Sequence, residues 1–300
     1  MMKHLNKAIT DFIVERMSKR EFNTMKEIDA FAFGTPIVGF ASASDPLFDF
    51  YKKHIDESFY LLPEEWLKKK YGKEFDRENV SIVSYVLPQT EETKRLCRDL
   101  SDCPSYEWQM VRVHGEECNR ALASSLADFL ESLGIEAVAP MCEESFSWGD
   151  SDRFLKISNW SERHTAHICG LGTFGLCDGL ITPVGKAVRF GSVIFNAKAD
   201  PTPRPYTKYN EYCLAKSGCR ACIERCPAGA INENGHDKVK CIEYHREKIK
   251  PLCIERFSYD GYSVCGLCQT GVPCESCIPK KRKEGMTFQE RSPLRTSHKI

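Results

Sequence analysis

Ten cysteines between Cys213 and Cys277 constrain this chain more than any other feature. They fall in two blocks: Cys213-x5-Cys219-x2-Cys222-x3-Cys226-Pro227 and, beyond Cys241 and Cys253, Cys265-x2-Cys268-x5-Cys274-x2-Cys277. A close Cys-x2-Cys pair puts two thiolates on one turn, where they clasp one metal centre at small loop-closure cost. In a C-x2-C-x3-C-P run the early cysteines hold one 4Fe–4S cluster and the Cys before Pro crosses to a second. Two cubanes take eight thiolates. We assign Cys213, Cys219, Cys222 and Cys274 to one cluster, and Cys226, Cys241, Cys265 and Cys268 to the other. Cys253 and Cys277 are left over, and Cys277 competes with Cys274 as the last ligand.

Other uses of so many cysteines fit less well. A disulfide framework belongs to secreted chains, and the start Met-Met-Lys-His-Leu-Asn-Lys-Ala lacks the apolar stretch of a signal peptide. Zinc is the rival for the second block, which offers four thiolates. Its central spacer is short for a zinc ribbon, and zinc leaves the Cys-Pro ending of the first block unexplained. The C-x3-C-x2-C spacing of a radical-generating cluster is absent. Sixteen cysteines without a secretion signal place the chain in a reducing cytoplasm. No stretch reaches the roughly 18 apolar residues of a membrane span.

At 300 residues the chain has room for two domains, at about 150 residues each. Lys+Arg and Asp+Glu both number 42, so no global field draws in a polyanion. The periodicity predicts a helix over 5–19, from Ala8, Ile9, Phe12, Ile13 and Met17. Ile37 to Ala41 and the β-branched run Val80 to Leu87 predict strands, and Pro63 opens a short helix. A helix is expected from about Gly115 to Leu133, capped by Gly134, with a short strand from Ile135 to Ala139. Pro140 to Asp152 reads as an acidic, aromatic loop. Two short strands are expected around a Gly turn, Leu180 to Gly185 and Val188 to Phe195. This alternation predicts an α/β (α+β) domain over 1–200. Asp200-Pro-Thr-Pro-Arg-Pro205 reads as a linker into a two-cluster domain over 201–279. Within it Asn234-Gly235 marks a turn, and 241–256 reads as a helix interrupted by Pro251. A basic tail over 280–300 follows, with Lys280 to Lys283 as its densest run.

Gly170, Gly172 and Gly175 spell G-x-G-x-x-G. A nucleotide-binding loop must follow a strand and open a helix. Here the preceding residues, from Ser161 as N-cap, read as a helix that the glycines end. Closely spaced glycines also let a flat cofactor approach the backbone.

The Gly170-Leu-Gly172-x-x-Gly175 loop, followed by Ile181-Thr182-Pro183 and Arg189, together with the paired cysteine blocks, resembles the epoxyqueuosine reductase and reductive dehalogenase group. The resemblance covers most of the chain after about Val80 and is strongest from Ser161 to Pro279. It implies a nitroreductase-like α/β domain with a ferredoxin-like part, and cobalamin reduced through two 4Fe–4S clusters. It also implies that the backbone at Gly170, Gly172 and Gly175 lies close to the corrin. Two departures stand out. The D-x-A-P-like run that carries the proton-donor Asp in epoxyqueuosine reductases reads Ala137-Val138-Ala139-Pro140 here, and Cys268-x5-Cys274 replaces the usual C-x3-C-P.

The expected function is an iron–sulfur oxidoreductase acting on a bound cobalamin or a reducible organic substrate. A ferredoxin- or flavodoxin-type protein would supply low-potential electrons. The alternative is an electron-transfer or corrinoid-activating accessory protein without substrate chemistry. Glu143, Glu144, Asp150, His164 and His167 are candidate proton donors, none preferred. Transfer RNA is a less favoured partner, because the net charge is zero and Ala137 stands where the donor Asp is expected.

Overall fold

The structure, a computed structural model, describes residues 2–261 and 263–280. Helix α1 (Met2–Ser18) buries Ile9, Ile13 and Met17, one per turn, as its periodicity predicts. Strand β1 (Ile37–Ser42) leads through α2 (Pro46–Ile55) and α3 (Pro63–Tyr71) to β2 (Ser81–Pro88). Every residue of β2 is buried. Its alternate side chains serve two cores: Val83, Tyr85 and Leu87 face α1 and the long helix, whereas Ile82 and Val86 face α2 and α3. A strand covered on both faces needs no polar alternation, which is why this run is so apolar in sequence.

Helix α4 (Glu91–Arg98) and the long helix α5 (Tyr106–Ser132) follow, then β3 (Ala137–Val138). Helix α6 (Glu162–Ile168) and β4 (Val188–Phe195) complete the layers. The sheet runs in the order β1-β2-β4-β3 and every pairing is antiparallel. Alternating strands and helices imply a parallel sheet. The antiparallel pairing makes the observed class a mixed α+β fold with helices on both faces.

Several local expectations change. Helix α5 starts at Tyr106 rather than near Gly115, with the Ser105 hydroxyl accepting from the Trp108 amide at 3.3 Å. Gln109, His114 and Asn119 are buried on it, and these polar residues hide its apolar stripe in the sequence. Ser161 stands at the N-cap of α6, yet its side chain makes no capping bond. The segment expected to be a strand over 180–185 reduces to Leu180–Ile181, paired with Thr173–Phe174 and not with β4. The acidic loop contains a hairpin, Trp148–Ser151 with Leu155–Ser158. The Pro-rich stretch is strapped to the edge of β1: Thr202 exchanges two 2.9 Å bonds with the Phe40 backbone.

In the cysteine-rich part, Ile231–Asn232 and Gly235–His236 form the expected turn. Helix α7 (Ala221–Glu224) carries Cys222, and α8 (Lys238–Tyr244) carries Cys241. A π-helical turn, His245–Ile249, continues α8 into α9 (Lys250–Phe257). Pro251 lies just after that turn, so the helix absorbs it there instead of breaking. This part docks on α5, where the Gln109 amide clamps the Val264 backbone with two 2.8 Å bonds. Trp108, Cys97, Ala187 and Leu267 form a small core between them. Among the described residues no helix is long and apolar enough to cross a membrane. Arg282 and the rest of the expected basic tail after Lys280 lie outside the described residues.

Candidate functional site

Cys213, Cys219, Cys222 and Cys274 line one recess, floored by Ile181 and Lys186. Local turns aim the first three. The Cys213 amide bonds to Asn210 O, the left-handed Gly218 turns the chain into Cys219, and Cys222 sits on α7. Cys274 arrives from far along the chain, held because the Lys186 amide donates to its carbonyl at 2.9 Å. Of the other proposed set, Cys265 has Cys241 and Cys226 nearby. The Cys265 thiol is pushed up to about 12 by burial first, and then by Cys241 and Cys226 within electrostatic reach. Cys268 has Cys177 against it and Cys265 close by. Cys253 is buried beside Cys103 and Ile249 in a separate small core, and Cys277 is exposed. Among the described residues no three His, Cys, Asp or Glu converge on one ion. A cubane does not ask for such a point, since it spreads its four thiolates over four irons. The donor set is all thiol and lines a largely apolar recess, which fits an iron–sulfur cluster.

Two further residues belong here that the cysteine spacing missed. Cys177 is buried outside both blocks, and the Lys186 ammonium donates to its sulfur at 3.1 Å. Cys222 and Cys268 lie against the same sulfur, and Lys186 adds its charge, so Cys177 is held well below the usual thiol range. Burial opposes the Lys186 charge, but Cys177, Cys274, Cys268 and Cys222 more than restore it. The only sequence signal was a Cys and a Lys close behind the glycine loop, and neither residue type announces a partner.

Beside the recess opens a cleft of about 900 Å³. Gly175, Cys213 and Cys219 line both. Its far wall is Phe50, Tyr51 and His54 of α2, with His164 and Phe174 beside them. Arg153, Arg163, Lys216, Arg220 and Lys238 line it against two carboxylates, Asp178 and Glu233. The neutral net charge of the chain thus conceals a locally cationic cleft. Gly175 is at its edge, whereas Gly170 and Gly172 back onto the protein itself. A β-carbon on Gly170 would crowd Thr202 and Pro203, and one on Gly172 would overlap the Ile181 carbonyl.

Of the five candidate proton donors, His164 lines the cleft. Its Nδ1 is 2.7 Å from the Ser161 hydroxyl, and its ring packs on Tyr51 and Phe174. Burial, then the nearby Arg163 and His167, push its pKa down to about 3, so the ring is neutral at physiological pH. His167 is committed elsewhere, bonding Gly172 O at 2.8 Å and stacking on Tyr206. Asp150 pairs with Lys156 on the hairpin. Sequence reasoning did not single out Glu162. Burial raises its pKa to about 7 even though the hydrogen-bonding groups of Ser192 and Trp160 lie near it and oppose the shift.

A mixed α+β layer carries a thiol-lined recess that opens beside a large cleft, an arrangement suited to redox chemistry. The chain resembles the epoxyqueuosine reductase and reductive dehalogenase group. It is 32% identical over 130 residues to an epoxyqueuosine reductase of Bacillus cereus, a match spanning 43% of this chain and 31% of that protein. The catabolic reductive dehalogenase NpRdhA, solved with 3-bromo-4-hydroxybenzoic acid, shares the fold: TM-score 0.51 and 17% identity over 81% of this chain and 30% of that one. An epoxyqueuosine reductase solved with a modified tRNA stem loop aligns at TM-score 0.48 and 18% identity, over 94% of this chain and 68% of that one. No family model matches the chain.

Proposed function

We propose that this chain is an iron–sulfur reductase of the epoxyqueuosine reductase type, in which two 4Fe–4S clusters relay electrons to a cobalamin or a reducible organic substrate in the cleft. The shared wall carries this reading: Cys213 and Cys219 line both the thiol recess and the cleft, so a cluster on those thiolates adjoins whatever the cleft holds. The cleft volume, about 900 Å³, suits a large organic group, since small-molecule pockets run roughly 300–1,000 Å³. Residues 1–200 supply the cleft's far wall, and residues 201–279 supply most of the thiols. Bound cobalamin would supply a low-valent cobalt nucleophile. The chain's own residues would do the rest: Tyr51 and Phe174 wall off water, and the cationic rim binds anionic groups. His164 offers a neutral ring for a hydrogen bond, not a ready proton.

The test is to reconstitute the protein anaerobically, reduce it and titrate in cob(II)alamin. A saturable spectral change at one equivalent is expected. No binding by protein that holds both clusters would favour the corrin-free or accessory reading. The cationic rim leaves epoxyqueuosine-bearing tRNA as one substrate to assay, by nucleoside analysis after incubation with the reduced, loaded protein. Queuosine formed at a catalytic rate would assign it. Cluster reduction without queuosine would point to another reducible organic substrate.

A further inference from the structure

Lysine is rarely buried without a partner. Lys186 is 3% exposed, and its partners here are sulfurs. Its backbone is fixed at both polar groups of the turn: its amide donates to Cys274 O, and that of Ala187 donates to Glu275 O. Preceding Gly185 has φ +84°, and a β-carbon there would overlap the Glu275 backbone. The turn is therefore built to press against the second cysteine block. Side-chain freedom is removed as well, because the ammonium ends on Cys177, which itself touches Cys222 of one ligand set and Cys268 of the other.

We propose that Lys186 is the buried countercharge of the cluster pair, held between the two ligand sets by Cys177, and that it raises the reduction potential of the clusters. This rests on the two-cluster reading. A cubane with four thiolates is anionic, and each added electron increases its negative charge. A fixed ammonium in a dry site favours the more negative state, and net charge and hydrogen bonds to the sulfurs are among the levers that set such potentials. Cys177 is a positioning residue on this account: it orients the ammonium and does not ligate iron. The set containing Cys222 and Cys274 should feel the charge most, since Lys186 forms part of its recess.

The experiment is an EPR-monitored redox titration of the anaerobically reconstituted full chain, with iron and sulfide measured on the same samples. Lys186→Met should keep the full iron content and lower the midpoint of at least one cluster. The expected shift corresponds to a tenfold or larger change in the oxidised-to-reduced ratio, about 59 mV for one electron. Lys186→Arg should hold the midpoint close to that of the wild type. Cys177→Ala should keep the full iron content. The inference is overturned if Lys186→Met leaves the midpoint unmoved at full iron, or if Arg lowers it as much as Met. Loss of half the iron in Cys177→Ala would also overturn it, making Cys177 a ligand. If the Met variant does not retain iron, Lys186→Gln, read by the same titration, decides in its place. A wild-type protein that takes up no clusters would instead overturn the two-cluster reading itself.

Discussion

The backbone amide of Lys186 donates to the carbonyl oxygen of Cys274 at 2.9 Å, across 88 residues of chain. This bond joins the turn after the glycine loop to the second cysteine block. The contact is close enough that Gly185 has no room for a side chain against Glu275, and its φ of +84° is one that other residues rarely adopt. Gly185→Ala should therefore destabilise the fold by about 2 kcal/mol or more, from overlap and backbone strain together. Chemical denaturation checks this. A change below about 0.5 kcal/mol would show that the turn is not pressed against the block.

Metal content tests the ligand sets. The reconstituted protein should hold about eight irons and eight sulfides per chain. Cys274 lines the recess, so Cys274→Ser should cost about half the iron. Cys277 is exposed, and Cys277→Ser should leave the content unchanged. The reverse pattern would exchange their roles, and stoichiometric zinc with half the iron would refute two cubanes.

The glycines separate packing from binding. Gly175 stands at the mouth shared by recess and cleft, and a β-carbon there meets the Gly179 carbonyl oxygen at 3.3 Å. Gly175→Val should weaken cob(II)alamin binding about tenfold, roughly 1.4 kcal/mol. Its melting temperature should change less than that of Gly172→Val, whose added carbons would overlap Ile181. Equal melting temperatures with equal binding losses would refute the distinction.

Glu162 predicts a pH dependence. Its folded pKa, about 7, lies above the ordinary 4.5. The folded state therefore binds more protons than the unfolded chain between these values, and its stability falls as pH rises through that window. Glu162→Gln removes this loss. Its stability relative to wild type should increase from pH 5 to pH 8, read from melting temperatures at both. A difference independent of pH would mean that Glu162 ionises normally.

His164 adds a spectroscopic check. Its ring should stay neutral well below pH 6, given a pKa near 3. An NMR titration of its Cε1 proton should show no step near pH 6.5, whereas a step there would place the ring in water.

Much of this protein is legible along the chain because its causes are local. Close spacing brings Cys213, Cys219 and Cys222 to one recess, which Cys274 joins from far along the chain. The β-branched run of β2 marked a strand, and the period of α1 marked its buried face. What tertiary structure decided concerns partners distant in sequence. Whether neighbouring strands run parallel depends on how the crossovers pack, and all of them proved antiparallel. The start of α5 at Tyr106 rather than Gly115 was hidden because its early polar residues, Gln109 among them, are buried only against distant chain such as Val264. Cys177 and Lys186 carry no spacing signal, because their chemistry comes from burial against Cys222 and Cys268, and burial is a property of the folded chain alone.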